Sequence, residues 1–243
     1  MKNYIVWTNC TIEERGAKFG IGSAADPGVR ENYNQMFELS VESARQNIRG
    51  RWEGIVFDET CESRVEMFKK NWEKIHALWH REPCNILYLD SDTIVTKPVE
   101  IFGRFPEFRL FNWADPARTD EFEHYFNAAV RYYPAHMSEA TWELGDAIAQ
   151  NWNLEIWDQE QIIFNRMFWS QGLTWEDAHH PELNWQAPTG RNVTQMSEQN
   201  TSFNTLPIAH ARIIHYHGSR SSDRGAYVAQ GLAMVSGIKN DPN

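Results

Sequence analysis

The chain has 243 residues, enough for one α/β domain or at most two small ones, and its 42% hydrophobic content can build a full core. A formal net charge of −10 argues against a nucleic-acid backbone or an anionic membrane as the main partner. No window approaches about 18 consecutive apolar residues, and the apolar run at Tyr4–Trp7 is too short for a signal peptide, so the reading expects a cytosolic protein without a transmembrane segment.

Tyr4-Ile-Val-Trp7 reads as the first strand, with Thr8 at its carboxyl end. The stretch from there to about Arg30, with Gly16, Gly20, Gly22, Pro27 and Gly28, reads as one long loop. From Asn32 to Ile48, the apolar positions Tyr33, Phe37, Val41, Ala44 and Ile48 recur at helical steps, and Gly50 ends the helix. Ile55-Val-Phe57 is a second strand. Val65, Phe68, Trp72, Ile75 and Trp79 mark a second amphipathic helix that must stop before Pro83. Strand, helix, strand, helix, strand in this order predicts parallel crossovers.

The third strand, Ile86-Leu-Tyr-Leu89, is apolar throughout, as expected for burial on both faces, and ends in Asp90-Ser-Asp92. Ligands of open α/β sheets collect beyond the carboxyl ends of strands, and two carboxylates one residue apart repel each other unless a cation lies between. In an extended chain, residues i and i+2 project to the same side, so the pair predicts a divalent metal such as Mn²⁺ or Mg²⁺. The competing reading is a solvated turn that merely ends the strand.

Beyond the pair, Pro98–Phe102 reads as a helical turn, and Phe108–Trp113 and Phe126–Tyr133 read as strands. Ser138 can cap a helix to about Gln150, and Asp158, with Gln161 three residues on, can cap another to about Trp169. The region from Gln171 to Leu206 has no clear pattern. Ala211–His217 is a late strand in which His215 is either a metal ligand or a hydrogen-bonded core imidazole. Cys10, Cys61 and Cys84 lack metal-type spacing and read as reduced thiols. No repeat or linker divides the chain.

Together these segments resemble GT-A-fold glycosyltransferases, in particular the retaining family 8 type to which glycogenin and bacterial galactosyltransferases belong. Ile86-Leu-Tyr-Leu-Asp-Ser-Asp-Thr93 is similar to the family's DxD segment, and Phe126-Asn-Ala-Ala-Val130 to its FNSGV strand. Trp157-Asp-Gln-Glu-Gln161 is similar to its DQD helix start, and Ile213-Ile-His-Tyr-His-Gly218 to its hhHFxG strand. The resemblance implies a Rossmann-like GT-A domain with a central mixed, mostly parallel sheet, residues 1–112 binding the nucleotide and 113–243 holding the acceptor and closing the site. It implies a metal-dependent hexosyltransferase, retaining in the family's manner, that uses Mn²⁺ (or Mg²⁺) and a nucleotide-sugar of the UDP-hexose kind. Asp90, Asp92 and His215 would be the metal ligands. Thr8, Lys74, Ser91, Asn127, Gly218 and Arg220 would contact the donor, and Asp158 and Gln159 would lie near the anomeric carbon. The partners implied are this donor and a carbohydrate or other hydroxyl acceptor.

The family's Lys-Pro-Trp after the glycine is absent; the chain reads Ser219-Arg-Ser-Ser-Asp-Arg224, so Arg220 or Arg224 is left to serve as the phosphate cation. Two alternatives compete. A haloacid dehalogenase-type phosphatase also carries Asp-x-Asp after an apolar strand but wants Thr where this chain has Ile94. A nucleotide-sugar binding protein without turnover would keep the metal site and lose the chemistry.

Overall fold

The computed structural model describes residues 1–9, 11–12, 27–112, 125–150, 159–187, 208–216 and 233. Its centre is a five-stranded mixed sheet of β1 (Lys2–Thr8), β3 (Glu53–Phe57), β5 (Cys84–Leu89), β7 (Arg109–Leu110) and β8 (Val130–Tyr133), in the order β3-β1-β5-β8-β7. β1 pairs in parallel with both β3 and β5, as the strand and helix alternation predicts. β8 runs antiparallel to β5 and to β7, so it alone opposes the other four strands. A two-stranded pair, β2 (Thr11–Ile12) with β4 (Thr60–Cys61), was not legible in so short a pattern.

Alternation along the strands creates two cores. Tyr4, Val6, Ile86, Tyr88 and Tyr133 face one side, where they meet α2 (Arg64–Arg81), α3 (Glu139–Gln150) and α4 (Gln159–Trp169). Ile5, Trp7, Leu87, Leu89, Val130 and Tyr132 face the other and meet Ala44 of α1 (Pro27–Asn47) and Ile48 just beyond it. β5 is buried at all six positions, so its unbroken apolar run reflects packing on both faces.

α1 begins at Pro27, earlier than the Asn32 expected from periodicity, because proline is well placed in a first helical turn where its missing N–H is not needed. α2 starts after Ser63, whose side chain accepts from the Glu66 amide, and stops at Arg81 before Pro83. Ser138 caps α3 in the same way by accepting from the Thr141 amide at 3.3 Å. Phe108–Trp113 and Phe126–Tyr133 are strands over only Arg109–Leu110 and Val130–Tyr133, and Trp113 lies outside the described residues. Pro98–Phe102 is a single bridge from Val99 to Ile48 rather than a helical turn.

A second, three-stranded sheet adjoins the carboxyl end of β5. It has the order β6-β10-β9, from β6 (Thr93–Val95), β9 (Trp185–Gln186) and β10 (Ile213–His215). β10 pairs antiparallel with β6 and parallel with β9. β6 is an edge, and α1 covers it. The Val95 amide donates to the Ser43 hydroxyl at 3.0 Å, and the Asn47 amide donates to the Val95 carbonyl at 2.9 Å. Polar side chains of a helix thus satisfy an edge that a strand would otherwise occupy. Both sheets draw strands from either side of residue 112.

Candidate metal and donor site

β5 leaves the sheet at Leu89, and the next four residues form a tight turn. The Thr93 amide donates to the Asp90 carbonyl at 3.1 Å, and the Thr93 hydroxyl donates to the same oxygen at 2.8 Å. Asp90 and Asp92 therefore converge because the chain turns, not because of the strand alternation expected from sequence. The turn is tethered on three sides. The Asp90 amide donates to the Ala129 carbonyl at 2.9 Å, and the Tyr216 amide donates to the Asp92 carbonyl at 3.0 Å. Thr93 Oγ1 also lies 3.2 Å from Ser40 Oγ on α1, which accepts from the Trp7 indole at 3.1 Å.

The Tyr216 contact explains how His215 arrives. β10 pairs with β6 immediately after the turn, with His215 opposite Thr93. Its Nε2 lies 3.3 Å from an Asp92 oxygen and 4.0 Å from an Asp90 oxygen. One ligand atom from each of Asp90, Asp92 and His215 falls within 4.8 Å of the others. His215 is only 3% exposed, whereas the two carboxylates are partly open to solvent. Burial alone would depress the imidazole, but Asp92, with Asp90 behind it, outweighs burial and holds its pKa above the ordinary value. Two carboxylate oxygens and one imidazole nitrogen, converging at an open strand end, form a donor set that fits a hard-to-borderline divalent cation.

A polar framework positions this turn through Phe126–Ala129. From α4, Gln161 Oε1 accepts from the Ala128 amide at 3.2 Å. Asn165 accepts from the Phe126 amide at 2.7 Å and donates to its carbonyl at 2.8 Å. From the other side, Asn127 Oδ1 accepts from the Ala129 amide at 2.9 Å and from Asn184 Nδ2 at 3.2 Å. Asn184 Oδ1 accepts from Gln186 Nε2 at 3.0 Å, and the Asn184 carbonyl accepts from Asn112 at 2.8 Å. Gln186 is in register with His215. Asn112, Asn127, Asn165, Asn184 and Gln186 are all buried. Sequence reasoning passed over Asn112, Asn184 and Gln186; the alternation of Leu183-Asn-Trp-Gln-Ala187 within the unpatterned stretch was the one available signal.

The other expected site residues fall as follows. Ser91 is buried within the turn, and Asn127 is buried beside it. Thr8 ends β1, is 7% exposed, and accepts a 3.1 Å hydrogen bond from the Tyr88 hydroxyl. Lys74, on α2, is ion-paired with Glu59 and lies over the Phe57 ring at 5.0 Å. Among the described contacts, none joins it to the Asp90, Asp92 and His215 cluster. Gln159 is the first residue of α4. Asp158, Gly218, Arg220 and Arg224 lie outside the described residues, as does Cys10. Among the described residues, no helix is long and apolar enough to cross a membrane.

No protein-family model matches the sequence, and no curated protein matches it either. Solved structures do. A glycosyltransferase involved in glycosylation of the major capsid of the virus PBCV-1 is 14% identical, with a TM-score of 0.55 over 95% of this chain and 100% of that one. The apo-form of the glycosyltransferase GlyE from Streptococcus pneumoniae TIGR4 is also 14% identical, with a TM-score of 0.45 over 99% of this chain and 62% of that one. The mixed sheet flanked by helices, together with the match over 95% of this chain to the PBCV-1 capsid glycosyltransferase, gives this chain a GT-A-like glycosyltransferase fold.

Proposed function

We propose that the protein is a Mn²⁺- or Mg²⁺-dependent glycosyltransferase that moves a hexose from a nucleotide-sugar, of the UDP kind, to a hydroxyl acceptor with retention. The observation that carries this reading is the convergence of Asp90, Asp92 and His215 beyond the carboxyl end of a central strand in a glycosyltransferase fold. The two acids come from one turn and the imidazole from a strand late in the chain, so the grouping is a product of folding rather than of local acidity.

In this reading Asp90, Asp92 and His215 hold the cation. A divalent ion there supplies Lewis-acid stabilisation of a departing diphosphate. To hold the cation, the buried His215 would have to present a neutral ring nitrogen. The Ser91 and Asn127 region would line the donor, Thr8 would serve the base, and Gly218 and Arg220, outside the described residues, would serve the phosphates. Lys74 would reach the donor only after giving up Glu59. Gln159, the first residue of α4, and Asp158 before it in sequence would act near the anomeric carbon, steadying its positive charge or orienting sugar hydroxyls. The chain works as one domain, its first 112 residues toward the nucleotide and the remainder toward the acceptor.

The phosphatase alternative needs a hydroxyl at position 94, where Ile94 is fully buried in the small sheet. The test is turnover. Purified protein is given a panel of nucleotide-sugars with Mn²⁺, and release of nucleoside diphosphate is followed with and without simple sugar acceptors. The reading expects donor breakdown that Asp92→Ala and His215→Gln abolish, while Gln159→Ala lowers kcat more than donor KM. Undiminished release by Asp92→Ala would sink the metal assignment. Metal-dependent nucleotide binding without any release would leave a binding protein.

A further inference from the structure

A pair of imidazoles with a carboxylate nearby lies on the α2 and α3 surface; unlike Asp90, Asp92 and His215, its three side chains do not yet bring their ligand atoms within 4.8 Å of one another. His76 and His80 are four residues apart on α2, the spacing that places side chains one above the other. Their Nε2 atoms are 2.5 Å apart and share one hydrogen bond, so a cation that displaced the shared proton would meet both nitrogens. His76 is held there. Its ring stacks on Trp142 with centroids 4.9 Å apart and lies 6.3 Å from the Trp72 ring. Its Nδ1 lies 3.5 Å from Asp146, whose same oxygen accepts from the Trp72 indole at 2.7 Å. A carboxylate behind one imidazole nitrogen favours the tautomer that turns the other nitrogen outward, as in histidine metal sites, while burial, opposed by Asp146, holds the His76 pKa below its ordinary value. On the open side, a Glu139 oxygen at the start of α3 lies 3.9 Å from His80 Nε2, with that carboxylate 61% exposed and able to swing.

We propose that His76 and His80, with Glu139 as the third ligand, bind a divalent cation of the Zn²⁺ class. Two imidazoles and one carboxylate are a set that Zn²⁺ takes, with water completing the tetrahedron. Ligand nitrogens about 2.0–2.1 Å from a tetrahedral ion sit about 3.3 Å apart, so the two rings need to separate only slightly. His80, 43% exposed, has room to make that movement. Glu139 closes by side-chain rotation. The ion would tie the first turn of α3 to α2. This site differs in chemistry from the strand-end cluster: imidazole nitrogens favour Zn²⁺, whereas paired carboxylates accept Mg²⁺ and Mn²⁺.

That difference sets the test. Thermal unfolding of the full chain carrying Asp92→Ala, which impairs the strand-end cluster, is followed during titration with ZnCl₂ and, separately, MgCl₂. Saturating Zn²⁺ is expected to raise Tm by a few degrees, and Mg²⁺ to leave it unchanged. Adding His80→Gln, a surface change, or His76→Gln is expected to weaken the apparent zinc affinity at least tenfold. Glu139→Gln should weaken it less. The readout is the zinc-induced shift within each variant, so a lower starting Tm does not obscure it. Absence of a zinc shift, or an equal shift in the His76→Gln and His80→Gln proteins, overturns the assignment.

Discussion

Asn184 joins the small sheet to the framework that carries Asp90, and replacing it with leucine tests that framework. The side chain is fully buried; its Nδ2 donates to Asn127 Oδ1 at 3.2 Å and to the Asn127 carbonyl at 3.4 Å, and its Oδ1 accepts from Gln186 at 3.0 Å. Asn184→Leu has similar bulk and removes all three bonds. Each buried bond contributes about 0.5–1.5 kcal/mol net, and polar partners that lose one in the interior add to the loss, so the change should cost about 2–4 kcal/mol. The backbone contacts from Asn112 and Gln186 to the Asn184 carbonyl survive, which limits the loss. At this chain length about 1 kcal/mol shifts Tm by about 2–4 °C, so scanning calorimetry should show a fall of roughly 5–15 °C. The same variant should bind Mn²⁺ more weakly, because Asn127 fixes Ala129, whose carbonyl holds the Asp90 amide. A Tm within about 2 °C of wild type, with unchanged Mn²⁺ affinity, would show that the amides do not position the turn.

Gly145→Ala should destabilise despite alanine's higher helix propensity. An added Cβ would lie 2.4 Å from the Trp72 ring and 2.9 Å from Met167 sulfur, and Trp72 is fixed by Asp146 and by its buried ring neighbours. Overpacking costs about 1–3 kcal/mol against about 1 kcal/mol gained in propensity, so denaturant titration should show a net loss and a gain would refute it. Cys84 should resist iodoacetamide at pH 8 in the native protein, because burial pushes its thiol up to about 11 and shields it. Labelling by mass spectrometry should reach it only on unfolding, and rapid native labelling would contradict the packing. In chelator, the stability difference between wild type and Asp92→Asn should shrink as pH rises. The raised His215 pKa contributes fully below about 6.5, the unfolded value, and is lost as pH climbs through the folded one. A difference that grows with pH between 6 and 9 refutes the pairing.

The strands and helices of the first half were legible because β1 and β5 are apolar runs, α2 carries a helical period, and their tertiary environments agree with both signals. β6 and β9 were not, since two- and three-residue strands leave no period to read and exist through pairing with β10. The acidic pair was found for a partly mistaken reason. Its position at the end of β5 was right, but a turn rather than a pleat brings the carboxylates together. His215 could be ranked over His217 only by resemblance; its pairing opposite Thr93 supplies the physical reason it meets Asp92. The amide framework stayed hidden because Asn112, Asn127 and Asn184 are far apart in sequence, and buried polar partners cannot be paired without the fold. Gln161, read as a helix-cap partner of Asp158, engages Ala128, while Asp158 itself lies outside the described residues.

The central claim, that Asp90, Asp92 and His215 hold a cation against a nucleoside diphosphate, is tested most directly by thermal unfolding with UDP, GDP, ADP and CDP, each with and without Mn²⁺. A ligand present at about 100 times its Kd adds about 2.7 kcal/mol, which should raise Tm by several degrees. Stabilisation by UDP that requires Mn²⁺ and disappears in Asp92→Ala is the predicted result. No response to any nucleotide, or an equal response in chelator and in the Asp92→Ala protein, would contradict the account.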